Sequence, residues 1–155
     1  MFNIKNGLLS EVDYHPSPNC DQRPTTTDIS LLVIHNISLP PADFSTNAVI
    51  EFFCNQLDFG AHPYFDSIKE LRVSSHLFIR RNGQIIQFVP FEKRAWHAGL
   101  SSFNGKTHCN DFSIGIELEG IDNMSYTKDQ YQQLVMITDC LMQCYPGITP
   151  ERIVG

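Results

Sequence analysis

The sequence predicts one α/β domain, a mixed β-sheet flanked by helices, and three stretches predict it. Leu31-Leu32-Val33-Ile34 is an unbroken aliphatic run, as a strand covered on both faces requires. Ser113 to Gly120 alternates: Ile114, Ile116 and Leu118 face one way, and Ser113, Gly115, Glu117 and Glu119 the other. Thr127-Lys128-Asp129-Gln130 is a capping box, in which hydroxyl and amide each satisfy an orphan backbone donor at a helix start. The chain has 155 residues, enough for a substantial core, and contains no repeat or linker. A single domain over 1–155 is therefore expected.

Taken in order, residues 1–30 carry Pro16, Pro18 and Pro24, which forbid regular hydrogen bonding, so an irregular wrap over the domain is expected. The central strand follows and ends at Pro40-Pro41. Ser45 or Thr46 can then cap a helix with Ala48, Val49, Phe52 and Phe53 on one side. Gly60 to Phe65 reads as a loop. Asn82-Gly83 between the apolar runs 75–81 and 84–89 predicts a hairpin with a type I′ turn. A long polar connection holding Trp96 and His97 leads to the alternating strand. The helix opened by Thr127 carries Tyr131, Leu134, Val135, Thr138, Leu141, Met142 and Tyr145 along one stripe and stops at Pro146-Gly147. Residues 148–155 begin a further extended piece.

Composition narrows the function classes. Lys and Arg number 11 against 17 Asp and Glu, a net charge of −6, which argues against nucleic acid and against an anionic membrane as partners. The five cysteines, an odd number without Cys-x-x-Cys spacing, predict neither a disulfide framework nor a zinc ribbon. No apolar run is long enough to span a bilayer and no secretory signal opens the chain, so a cytoplasmic protein is expected.

Three features could carry chemistry. His35 sits at the carboxyl end of the central strand, where open sheets commonly bind ligands. Glu117 shares its face with Ser113 and Gly115, small residues that predict open space beside it. Trp96-His97 lies on the long connection. A histidine near a carboxylate is either a metal site with a general base or an idle pair, and spacing alone does not choose.

The segments 30–41 (Ser-Leu-Leu-Val-Ile-His-Asn-Ile-Ser-Leu-Pro-Pro), 61–65 (Ala-His-Pro-Tyr-Phe), 71–76 (Leu-Arg-Val-Ser-Ser-His), 89–99 and 109–120 choose more sharply. They resemble the 1,6-anhydro-N-acetylmuramyl-L-alanine amidases. These are the cytosolic Gram-negative branch of the type 2 N-acetylmuramoyl-L-alanine amidase and peptidoglycan recognition protein family. The resemblance implies the fold of phage T7 lysozyme and peptidoglycan recognition proteins. It also implies a zinc (Zn2+) amidase that cuts anhydro-muramic acid from L-alanine in peptidoglycan recycling, and whose loss induces β-lactamase.

Carried over by residue, His35 matches the family's first zinc ligand and Glu117 its catalytic acid/base. A positioned carboxylate can take a proton from an attacking water and hand it to the leaving nitrogen. Trp96 and His97 would line the groove for sugar and peptide, and Arg72 would pair with a stem-peptide carboxylate. For Trp96 and Arg72 a core-closing and a solvated role stand equally open. His76 reads as structural, and His62 and His108 stay unassigned. The resemblance places the remaining zinc ligands, a histidine and an aspartate, beyond Gly155, so the chain is expected to be C-terminally truncated relative to the family and to hold zinc poorly. The alternatives to an active enzyme are a non-catalytic muropeptide-binding module and an inactive truncated form. The expected partner is an anhydro-muropeptide. The parent is expected to be a monomer, with self-association expected of the truncated chain.

Overall fold

The structure, a computed structural model, describes residues 2–155. Twelve strands and two α-helices follow one another as β1 (Ile4–Lys5), β2 (Leu8–Leu9), β3 (Asp13–Tyr14), β4 (Cys20–Gln22), β5 (Leu31–Ile37), α1 (Ala48–Phe53), β6 (Leu77–Ile79), β7 (Ile85–Gln87), β8 (Lys93–Ala95), β9 (Ser102–Phe103), β10 (Lys106–Thr107), β11 (Ser113–Glu119), α2 (Lys128–Cys144) and β12 (Ile153–Val154). The main sheet has the order β12-β5-β11-β6-β7-β3. Its strands β12, β5, β11 and β6 run parallel, and β7 returns antiparallel to β6. This is the mixed, helix-flanked sheet that the sequence predicts.

One face carries Leu32, Ile114, Ile116, Leu118, Leu77 and Ile79, packed against Ile137 and Leu141 of α2. Ile137 and Leu141 have no exposed surface, and each such side chain contributes about 1.5–3 kcal/mol on burial. The other face is divided. Leu31 and Val33 pack with Cys109 and Phe112, while Phe78 packs with Phe52, Phe53 and Phe88, and Ile37 lies against that second group. His35 falls between Val33 and Ile37 on this face, because side chains on a strand alternate. The two apolar groups thus flank a polar strip.

Several expectations are corrected. The first thirty residues contain four short strands, because Cys20–Gln22 pairs with Lys93–Ala95 and Asp13–Tyr14 with Ile86–Gln87. Helix α1 starts after Asn47, whose own side chain makes no cap. Of the two expected capping residues, Ser45 turns to Asp43, whereas the Thr46 hydroxyl accepts from Ala48 N–H at 3.3 Å while donating to Leu39 O at 2.7 Å. Residues Pro63–Ile68 form a 3-10 turn where a loop is expected. The hairpin is present, but in its turn only Gly83 has positive φ (82°). Its N–H donates to Arg80 O, and Arg80 N–H to Gln84 O, which makes a three-residue loop ending in a glycine bulge rather than type I′. Helix α2 has the expected bounds and both arms of its capping box. Its buried side is Gln130, Ile137, Cys140 and Leu141, while Tyr131 and Val135 point outward. The Gln130 amide donates to Ile79 O and Glu119 O at the strand ends, and this polar anchor sets the rotation of the helix.

Candidate active site

Strands β5 and β11 pair in register with His35 opposite Glu117. Paired residues on neighbouring strands share a face with their backbones about 4.8 Å apart, so imidazole and carboxyl stand side by side. Glu117 is 8% exposed, and its Oε2 has no hydrogen-bond partner. Burial pushes its pKa from the ordinary 4.5 up to about 8, so the carboxyl is mostly protonated at neutral pH.

The open space expected over Gly115 is occupied. A Cβ built on Gly115 would lie 2.6 Å from Cδ2 and Nδ1 of His97, whose ring rests directly on the glycine. His97 Nδ1 is 2.9 Å from His35 Nε2, and its Nε2 is 3.1 Å from Ser113 Oγ. Behind it lies His76, fully buried, whose Nδ1 accepts from Gly115 N–H at 3.0 Å. The ring proton of His76 therefore sits on Nε2, which faces Lys93 O at 3.0 Å. Arg23 closes the array, its guanidinium donating to the backbone carbonyls of Phe91, Asn110, Asp111 and Ser113.

Burial lowers the pKa of all three imidazoles. His35 is lowered by burial alone, and His76 falls to about 3 through burial and then the charge of Arg23. His97 lies well below its ordinary value, through burial first and then its histidine neighbours and Arg23. Near pH 7 the cluster is thus three neutral imidazoles and a protonated carboxyl. Such a set can deliver a proton from Glu117 and offer a neutral nitrogen from His35 to a ligand.

Of the five residues singled out in the sequence, the structure brings together His35, Glu117 and His97. Trp96 is half-buried and turned aside, its indole N–H donating to Asp21 Oδ1 at 3.3 Å. Arg72 is exposed and folds back on the carbonyls of Lys69 and Leu71. Beyond His35 and Glu117, at the carboxyl ends of β5 and β11, a groove of about 460 Å³ is lined by Asn36, Leu39, Tyr64, Ile68, Leu71 and Asp122. Ser113 and Arg23 were not legible as site residues. The small side chain at Ser113 was the one signal, and Arg23 meets its partners only through contacts as far as 90 positions away.

The sequence profile of the N-acetylmuramoyl-L-alanine amidases matches residues 25–155. The chain belongs to this amidase family. It is 54% identical over 145 residues to the 1,6-anhydro-N-acetylmuramyl-L-alanine amidase AmpD of Citrobacter freundii, a match covering 94% of this chain and 78% of that protein. A crystal structure of AmpD superposes with a TM-score of 0.95 at 52% identity, covering 99% of this chain and 85% of that one. An endolysin amidase from Clostridium intestinale, 16% identical, shares the fold at a TM-score of 0.63 over 94% of this chain and 80% of its own. The amidase AmiD of Escherichia coli, in complex with anhydro-N-acetylmuramic acid-L-Ala-D-γ-Glu-L-Lys, matches at 27% identity and a TM-score of 0.55, over 98% of this chain and 55% of its own. As an enzyme of this amidase family, the protein places Glu117 of β11 opposite His35 of β5, with His97 and His76 gathered at Gly115.

Proposed function

We propose that this amidase hydrolyses the amide between the lactyl group of 1,6-anhydro-N-acetylmuramic acid and L-alanine in muropeptides released during peptidoglycan recycling. The observation that carries the reading is Glu117, a buried carboxyl with an unpartnered oxygen, paired across the strands with His35. Its ionised form takes a proton from the attacking water. Its acid form gives that proton to the L-alanine nitrogen as the C–N bond breaks, leaving a lactyl carboxylate and a free amino terminus. The relatives named for this substrate, and the AmiD complex holding it, support the choice. A cytoplasmic site and an indirect role in restraining β-lactamase induction go with it. Among the described residues, no helix is long and apolar enough to cross a membrane.

Zinc dependence is part of the proposal, with His35 as the ligand this chain would supply. Among the described residues, no three His, Cys, Asp or Glu side chains converge as a metal site needs. The residues present therefore do not by themselves make up a zinc centre. This same observation favours a second reading, a muropeptide-binding module. Incubation with the anhydro-muramyl tripeptide, with and without added zinc, separates the two by mass spectrometry of the products. Release of the intact tripeptide supports the amidase, saturable binding without cleavage the module, and neither result overturns both.

A further inference from the structure

We propose that His97 is the positioning residue of this site, fixing the ring of His35 so that Nδ1 is the nitrogen left to meet a ligand. The two rings are held unequally. His97 is held from several sides: Asn110 Oδ1 accepts its backbone N–H at 3.1 Å and that of Ala98 at 2.9 Å. Its Nε2 lies 3.1 Å from Ser113 Oγ, and its ring lies on Gly115, where a side chain would collide with it. Gly115 is itself pinned, giving its N–H to His76 Nδ1 and accepting the His76 N–H, both at 3.0 Å. His35, by contrast, has one side-chain hydrogen bond among the described residues, between its Nε2 and His97 Nδ1 at 2.9 Å.

An over-determined ring therefore meets a ring with a single tether. Orientation passes from the first to the second. Because the bond uses Nε2, the two nitrogens of His35 are no longer equivalent, and with the shared proton assigned to His35 Nε2, Nδ1 is left unprotonated. Any effect on turnover rests on the reading of His35 as part of the amidase site, whereas the ring geometry does not.

The test is long-range ¹H–¹⁵N spectroscopy of the labelled 155-residue chain, at a pH where the imidazoles are neutral. The wild-type chain should show His35 in one tautomer and a coupling across the hydrogen bond between His35 Nε2 and His97 Nδ1. His97→Ala should leave His35 averaging between tautomers, and His97→Asn, which returns a polar atom near the Nδ1 position, should restore one form. A merely structural role for His97 would not distinguish these variants. The coupling needs no variant, so its absence overturns the proposal even if His97→Ala fails to fold. An unchanged single tautomer in a folded His97→Ala chain overturns it as well. A chain that shows the coupling but cleaves no muropeptide would remove the functional reading alone.

Discussion

The unpartnered oxygen of Glu117 gives the site its clearest pH signature. In the folded chain this carboxyl keeps its proton to about pH 8, whereas its ordinary pKa is 4.5. Between those values the folded state binds the extra proton, so stability falls as pH rises through the window, and the loss is complete above about pH 8. With about 1.4 kcal/mol per unit, the loss is on the order of a few kcal/mol. Glu117→Gln, neutral at every pH, should remove that slope. Urea unfolding at pH 5 and pH 9 should find the two proteins close at the lower pH and the variant more stable by a few kcal/mol at the higher. Parallel pH profiles would mean that the carboxyl is already ionised in the fold. Glu117 itself was legible from the alternation of Ser113 to Glu119. The depth of its burial was not, because the residue that covers the neighbouring Gly115, His97, lies on a separate segment.

Elements whose hydrogen bonds are local were the most legible. Helix α2 starts and stops where its capping box and its Pro-Gly stop put it, at Lys128 and Cys144. Its rotation was not legible, because the choice of buried side rests on Gln130 reaching Ile79 and Glu119 of other strands. The hairpin shows the same division: Asn82-Gly83 marks the reversal, but the register Ile79 opposite Ile85 sets an odd loop and with it the bulge. Thr127 tests the cap quantitatively. Its hydroxyl accepts from Gln130 N–H at 3.1 Å and donates to Arg81 O at 2.7 Å. Thr127→Ala should therefore cost about 1–2 kcal/mol, read as a lower urea midpoint with unchanged slope. A loss below a few tenths of a kcal/mol would show that packing alone holds the start of α2.

At the scale of the whole molecule, one sheet face is sealed by α2 and the other is split by a polar strip carrying His35 and Glu117. The sequence foretells the first face through its alternation. On the second it marks His35, Glu117 and His97 but not their assembly, because Arg23, His76, His97 and Ser113 arrive from four segments. All five thiols are free in the structure. Titration in denaturant under non-reducing conditions should find five, and in the native chain exposed Cys144 should react ahead of buried Cys109 and Cys140. Two blocked thiols would contradict this. The central claim is that Glu117 moves the proton in amide hydrolysis. It is tested most directly by the rate of tripeptide release from the anhydro-muropeptide for the wild-type chain and Glu117→Gln, side by side at equal zinc. Glu117→Gln should lower kcat by roughly 10²–10⁴-fold, the usual contribution of a positioned acid/base, with KM little changed. Equal rates for the two proteins would contradict it.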